Sequence, residues 1–149
     1  MTPGTLILLG DDLPDSLAGD LRGRGHHVIA PRPSDPPSGN HRYVAGCALE
    51  IAAGAPASPL VLVAGGDAGP LVPSLALAQR AAKRTIGAYV FLDADLPAPA
   101  DTWPDAPCAY LSADPGDPRA HQASLRAWTV FHASPGTLAE ALRSLITAL

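Results

Sequence analysis

Leu60 to Arg84 is the stretch that most limits what this chain can fold into. Leu60–Val63 is a run of four apolar residues, the signal of a strand buried on both faces. Ala64-Gly65-Gly66-Asp67-Ala68-Gly69 follows as a cramped turn, and Ser74 to Arg84 then carries a helical pattern. A half-wet antiparallel strand would alternate apolar with polar residues. An unbroken apolar strand handed to a helix belongs instead in a parallel sheet covered on both faces.

The same alternation runs along the chain. Thr5–Leu9 reads as a buried strand, and a helix from Ser16, read as its N-cap, to about Arg24 sets Leu13, Leu17 and Leu21 on one side. His27–Ala30 is a short strand, residues 32–40 a Pro/Gly loop, and His41–Ala53 a second helix. Gly87–Leu92 and Cys108–Leu111 are strands separated by the proline-punctuated loop 93–107. A helix over about 119–127, a short strand Thr129–Phe131 and an amphipathic helix Thr137–Leu149 close the chain. The order predicts a three-layer α/β sandwich on a mostly parallel six-stranded sheet, one domain spanning 1–149, with right-handed crossovers.

Composition narrows the function classes. The 149 residues suit one core, 47% hydrophobic content is globular, and no apolar run is long enough for a membrane span. A formal net charge of −4, with Lys83 the only lysine, argues against nucleic acid. The start carries no basic region or cleavage pattern, so no signal peptide is expected and the location reads as cytoplasmic. Cys47 and Cys108 read as reduced core thiols. His26 and His27 read as structural, at a helix–strand corner, and Trp128 as packing in the last crossover. The bias toward Ala, Gly, Pro and Arg is that of a high-GC bacterial coding sequence.

Ligands of open α/β sheets bind outside the carboxyl ends of the strands. Those ends are acidic here: Asp11 and Asp12 after the first strand, Asp67 after the third, Asp93 and Asp95 after the fourth, Asp114 and Asp117 after the fifth, with His132 after the sixth. Clustered carboxylates suit acid/base work, and crowding predicts a raised carboxyl pKa. They also suit a divalent cation, but the pattern fixes no ligand set, and the reading assigns no metal and no cofactor. Each has a plainer role open to it: Asp67 as a helix cap, Asp114 and Asp117 in Asx-turns, Asp11 and Asp12 as solvated loop charges.

Four segments resemble the α/β-hydrolase family. LRGRGHHVIAP is similar to its helix-then-strand segment, LVLVAGGDAGPLVPSLA to LVLVGHSxAGPLLPALA, GAYVFLDADLPAP to the strand that follows, and WPDAPCAYLSADPGD to its acid-bearing strand and loop. The resemblance implies a truncated, lidless member, lacking two strands found earlier in that family. In the gap-free register the family's nucleophilic Ser falls on Gly66, which excludes a serine-type covalent mechanism. A one-residue shift gives Gly65-Gly66-Asp67-Ala68-Gly69, the elbow of relatives with an aspartate nucleophile. The family acid falls on Asp114 or Asp117, or else Asp93, and the histidine has His132 as its nearest match.

The opening 24 residues or so also resemble a bacterial receiver domain, but no phospho-accepting Asp, switch Thr/Ser or later Lys follows. No G-x-G-x-x-G follows the first strand. What the resemblance implies is a non-hydrolytic enzyme of secondary metabolism, a lyase, isomerase or cyclase. Its substrate would be an apolar, carbonyl-bearing small molecule, with Asp67 and His132 as acid/base pair and Asp93, Asp114 or Asp117 orienting the histidine. Gly10, Asp11, Gly66, Ala68, Trp103 and Tyr110 would bind the ligand. The alternatives are a non-catalytic pseudoenzyme holding a small molecule or protein partner, and a hydrolase using Asp67 as nucleophile. A homodimer is expected to cover apolar surface left by the absent lid.

Overall fold

A computed structural model describes residues 1–149, with the side chain of Pro135 outside the description. Strands β1 (Thr5–Leu9), β2 (Val28–Ile29), β3 (Leu60–Gly66), β4 (Ile86–Ala94), β5 (Cys108–Ser112) and β6 (Thr129–His132) form one sheet in the order β2-β1-β3-β4-β5-β6. Every neighbouring pair is parallel. Five α-helices connect and cover it: α1 (Leu17–Gly23), α2 (His41–Ala53), α3 (Val72–Ala81), α4 (Pro118–Leu125) and α5 (Leu138–Ala148).

The period of two in the strands divides the core between two faces. Leu6, Leu8, Val61, Val63, Val90 and Leu111 pack against α1 and α5. Ile7, Leu9, Leu60, Leu62, Tyr89, Phe91 and Tyr110 pack against α2, α3 and α4. The three-layer α/β sandwich read from the sequence is the fold observed. Residues Leu60–Val63 are all 0% exposed, and at roughly 1.5–3 kcal/mol per large side chain such central strands dominate the stabilisation. Among the described residues no helix is long and apolar enough to cross a membrane.

Local differences from the sequence reading have physical causes. Strand β3 runs on through Ala64-Gly65-Gly66, because β4 is long enough to pair with it as far as Ala94. Ser16 takes a helical conformation and makes no capping bond, so it does not act as the N-cap expected of it. His132 ends β6 rather than following it. Thr5 is buried, and its Oγ1 joins both backbone groups of Ala57 and the His27 ring, tying β1 to the start of β3 and to β2.

The crossover from β4 to β5 contains no helix. Trp103, only 3% exposed, fills that gap in the layer. Its ring meets Tyr89 at 5.2 Å, Phe91 at 6.1 Å and Trp128 at 6.0 Å, all edge-on, and Phe91 stacks on Trp128 at 5.0 Å. Trp128 packs in the last crossover, the place expected from the sequence.

Both cysteines are free and buried. Burial pushes the Cys47 thiol up to about 11 and Cys108 up to about 12. The thiolate is the reactive form, so native protein at pH 8 is expected to resist iodoacetamide, while protein in urea takes up two equivalents. Rapid native labelling of either cysteine, read by intact mass, would contradict the buried placement.

Candidate functional site

The sheet order reverses between β1 and β3: the chain leaves β1 toward β2 and leaves β3 toward β4. Such a switch point opens a crevice at the carboxyl ends of the two strands. Here it is lined by Gly10, Asp11 and Asp12 from β1 and by Gly65, Gly66, Asp67 and Ala68 from β3.

The left-handed residue of the β3 turn is Gly66, at φ 53°, and not Asp67. A side chain at Gly66 is missing, but its space is not empty. A Cβ there would fall 1.7 Å from Oδ2 of Asp12 and 2.6 Å from its Cγ. The loop after β1 has placed a carboxylate where an elbow side chain would begin. Their separation by 54 positions hides that relation from the sequence.

Asp93 is the second carboxylate of the site. In the β3–β4 register Gly65 pairs with Leu92 and Gly66 with Ala94, so Asp93 is the extra residue of a β-bulge. Its φ is 45°, a left-handed conformation that costs a non-glycine residue about 1–2 kcal/mol and that Asp tolerates better than most. Bulges recur beside functional sites, where they re-aim one side chain. The Asp93 carboxylate accepts from Ser112 Oγ at 3.1 Å and from the Ala113 N–H at 3.2 Å, both at Oδ1. Asp12, Asp93, Ser112, Leu92, Ala133 and Leu138 are among the walls of one cavity of about 90 Å³. Ordinary ligand sites run to roughly 300–1,000 Å³, so this one takes the end of a molecule rather than its whole.

Ser112 went unremarked in the sequence, although a polar residue closing the apolar run CAYL is a recognisable signal. It is 0% exposed. Its hydroxyl lies 3.1 Å from Asp93 Oδ1, 2.9 Å from the Asp114 carbonyl and 3.3 Å from Asp117 Oδ2, and it accepts from the Asp114 N–H. One hydroxyl proton serves three acceptors, so Ser112 couples the cavity carboxylate to Asp117 behind it.

Asp117 is committed to structure. It is the N-cap of α4, accepting from the Arg119 N–H at 2.9 Å, and it takes the Tyr110 hydroxyl at 2.7 Å and the Arg119 guanidinium at 3.1 Å. Burial alone would raise its carboxyl, but hydrogen bonds from Arg119 and Tyr110 outweigh burial and hold it below the usual value. The rise expected from acidic crowding does not occur there. Asp114 makes the expected Asx-turn, accepting from the Gly116 N–H at 2.9 Å. Tyr110 is 0% exposed and packs in the core rather than facing a ligand.

Asp67 is exposed; neither the turn after it nor α3 has a side-chain cap, and its carboxylate makes no hydrogen bond among the described residues. His132 lies on the edge strand β6, in a depression shared with Asp117 and His121 beside α4. Three strand spacings separate β6 from β3, about 14 Å at roughly 4.8 Å each. The structure therefore does not bring Asp67 and His132 together as an acid/base pair. Trp103 borders a different pocket, with Trp128.

Two backbone donors of the crevice are occupied. The Gly10 N–H donates to the Tyr43 hydroxyl at 2.9 Å, and the Ala68 N–H donates to the Gly65 carbonyl at 3.1 Å. Asp11 stands exposed at the rim. Among the described residues no group of three or more His, Cys, Asp or Glu is arranged to hold a metal ion. Comparison with protein-family models, with characterised proteins and with solved structures finds no match.

Proposed function

We propose that the chain is a truncated α/β-hydrolase-like domain without a serine nucleophile, and that it transfers a proton on a small, carbonyl-bearing apolar metabolite. The reaction class is elimination, isomerisation or cyclisation. Asp93 carries this reading: a bulged, left-handed residue whose carboxylate is fixed at Oδ1 and shares a cavity with Asp12. Oδ2 of Asp93 has no protein donor among the described residues, which leaves it to take the proton beside the carbonyl. Asp12, exposed across the same cavity, takes a proton from solvent and delivers it to the carbonyl oxygen or to the new carbon centre. Leu92, Ala133 and Leu138 supply the apolar wall.

A second reading is binding without turnover. It is favoured by the Gly10 and Ala68 N–H groups, which are already bonded within the protein and do not serve a developing oxyanion. The Asp67-nucleophile reading has less support, because the strained point of the turn is Gly66.

The test is solvent-exchange NMR of small ketones and aldehydes in D₂O with wild type, Asp93→Asn and Asp12→Asn. Proton transfer by the pair predicts exchange in the wild type and a loss of at least 100-fold in each variant, within the usual contribution of about 10²–10⁴ for acid/base groups. Exchange that survives Asp93→Asn would refute the assignment. Saturable binding of the same carbonyl compounds with no exchange would favour the second reading.

A further inference from the structure

The chain's two tryptophans meet at a pocket on the other end of the sheet from Asp93. Trp103, Pro104, Pro99 and Ala100 come from the loop 95–107, and Arg126 and Trp128 from the turn between α4 and β6. Residues 103 and 104 precede β5 and residue 128 precedes β6, so the pocket opens at the amino-terminal side of those strands. Its volume is about 220 Å³, above the roughly 150 Å³ of an apolar cavity that takes benzene. Apart from Arg126, every lining residue is aromatic, proline or alanine.

Arg126 gives the pocket its sign. Its guanidinium carbon sits 5.4 Å from the Trp128 ring centroid, and Nη1 donates to the Pro97 carbonyl at 2.7 Å. Among the described residues Arg126 has no carboxylate partner, whereas Arg24 and Arg80 have one each and Arg119 has two. The nearby loop carboxylate of Asp105 is engaged by Arg80 and Tyr89. A guanidinium has five N–H donors in a planar fork. With one turned to a neutral carbonyl and its face on an indole, this one keeps donors for an oxyanion, held beside an apolar wall.

We propose that this pocket binds a flat apolar carboxylate, its ring against Trp103, Trp128 and the prolines and its carboxylate on Arg126. The site is separate from the cavity of Asp12 and Asp93 and does not depend on their chemistry.

Trp103 and Trp128 are the only tryptophans and both border the pocket, so the indole resonances and the intrinsic fluorescence are sensitive to its occupation. The probes are 4-ethylbenzoate and its neutral amide, 4-ethylbenzamide. The acid is expected to shift both indole resonances saturably and to bind at least tenfold more tightly than the amide. Arg126→Gln should weaken the acid at least tenfold and leave the amide within twofold. Arg126→Lys, which keeps the charge, should retain the acid within about fivefold, and Asp93→Asn should leave its binding unchanged. No saturable shift at millimolar acid, or equal loss of acid and amide in Arg126→Gln, would overturn the proposal. If Arg126→Gln collapses the indole dispersion, Arg126→Lys decides instead: loss of acid binding in a folded lysine variant also overturns it.

Discussion

Asp117→Ala is expected to destabilise the protein by about 3 kcal/mol and to lower its melting temperature by about 6–12 °C. Loss of the α4 N-cap contributes about 1 kcal/mol. The Tyr110 hydroxyl, buried at 0% exposure, would lose its acceptor, at about 1–3 kcal/mol. Arg119 adds little, being about one-third exposed and still in reach of Asp95. Removing the stranded hydroxyl with Tyr110→Phe in the same chain should recover part of the loss, because an absent donor costs less than an unsatisfied one. Urea unfolding of the two single variants and the double closes that cycle; a cost below about 1 kcal/mol for Asp117→Ala would mean the network stabilises nothing. The sign of its pH dependence follows from the lowered carboxyl. The native state favours the ionised form, so the contribution is complete above the unfolded value near 3.8 and fades as pH falls through the lower folded value. The stability gap between wild type and Asp117→Ala should therefore be widest at neutral pH and narrow as pH falls below the unfolded value.

That network also shows where the sequence was legible. The D-P pair before α4 is a readable helix start, an N-cap aspartate followed by proline at the first helical position, yet it competes with the Asx-turn reading that Asp114 fulfils. The apolar runs fixed six strands, because a strand buried on both faces admits almost nothing else. Glycine misled in the opposite direction. Gly65 and Gly66 read as a turn, but they continue β3 and are small because the β1 loop lies against them: Leu13 crowds Gly65 and Asp12 crowds Gly66. Contacts of that range leave no periodic trace. The bulge at Asp93 is likewise a property of two strands in register and not of either alone. Listing acids at strand ends therefore found Asp93 among the candidates but could not rank it above Asp67, nor see that His132 faces α4 three strands away.

Gly69→Ala should be the most damaging single methyl that can be added to the elbow, and comparing it with Gly66→Ala separates folding from function. A Cβ at Gly69 would fall 1.8 Å from the Asp95 carbonyl oxygen and 2.9 Å from its carbon. Those are backbone atoms, and Asp95 is tied in place by its N–H to the Gly66 carbonyl at 3.1 Å. Relief requires the β3 turn and the β4 loop to part, so the cost is expected at or beyond the top of the usual overpacking range, about 3 kcal/mol or more. At Gly66 the nearest obstacle is the end of the exposed Asp12 side chain, which can swing away. The left-handed backbone then dominates, at about 1–2 kcal/mol. Gly66→Ala is thus expected to fold while pushing the Asp12 carboxylate out of the cavity, so its proton-transfer activity should fall as in Asp12→Asn. Gly69→Ala should lose activity only in proportion to folded protein. Chemical denaturation and solvent-exchange rates on the same samples discriminate the two effects. Full activity in a folded Gly66→Ala variant would show that the carboxylate at the elbow has no part in the chemistry.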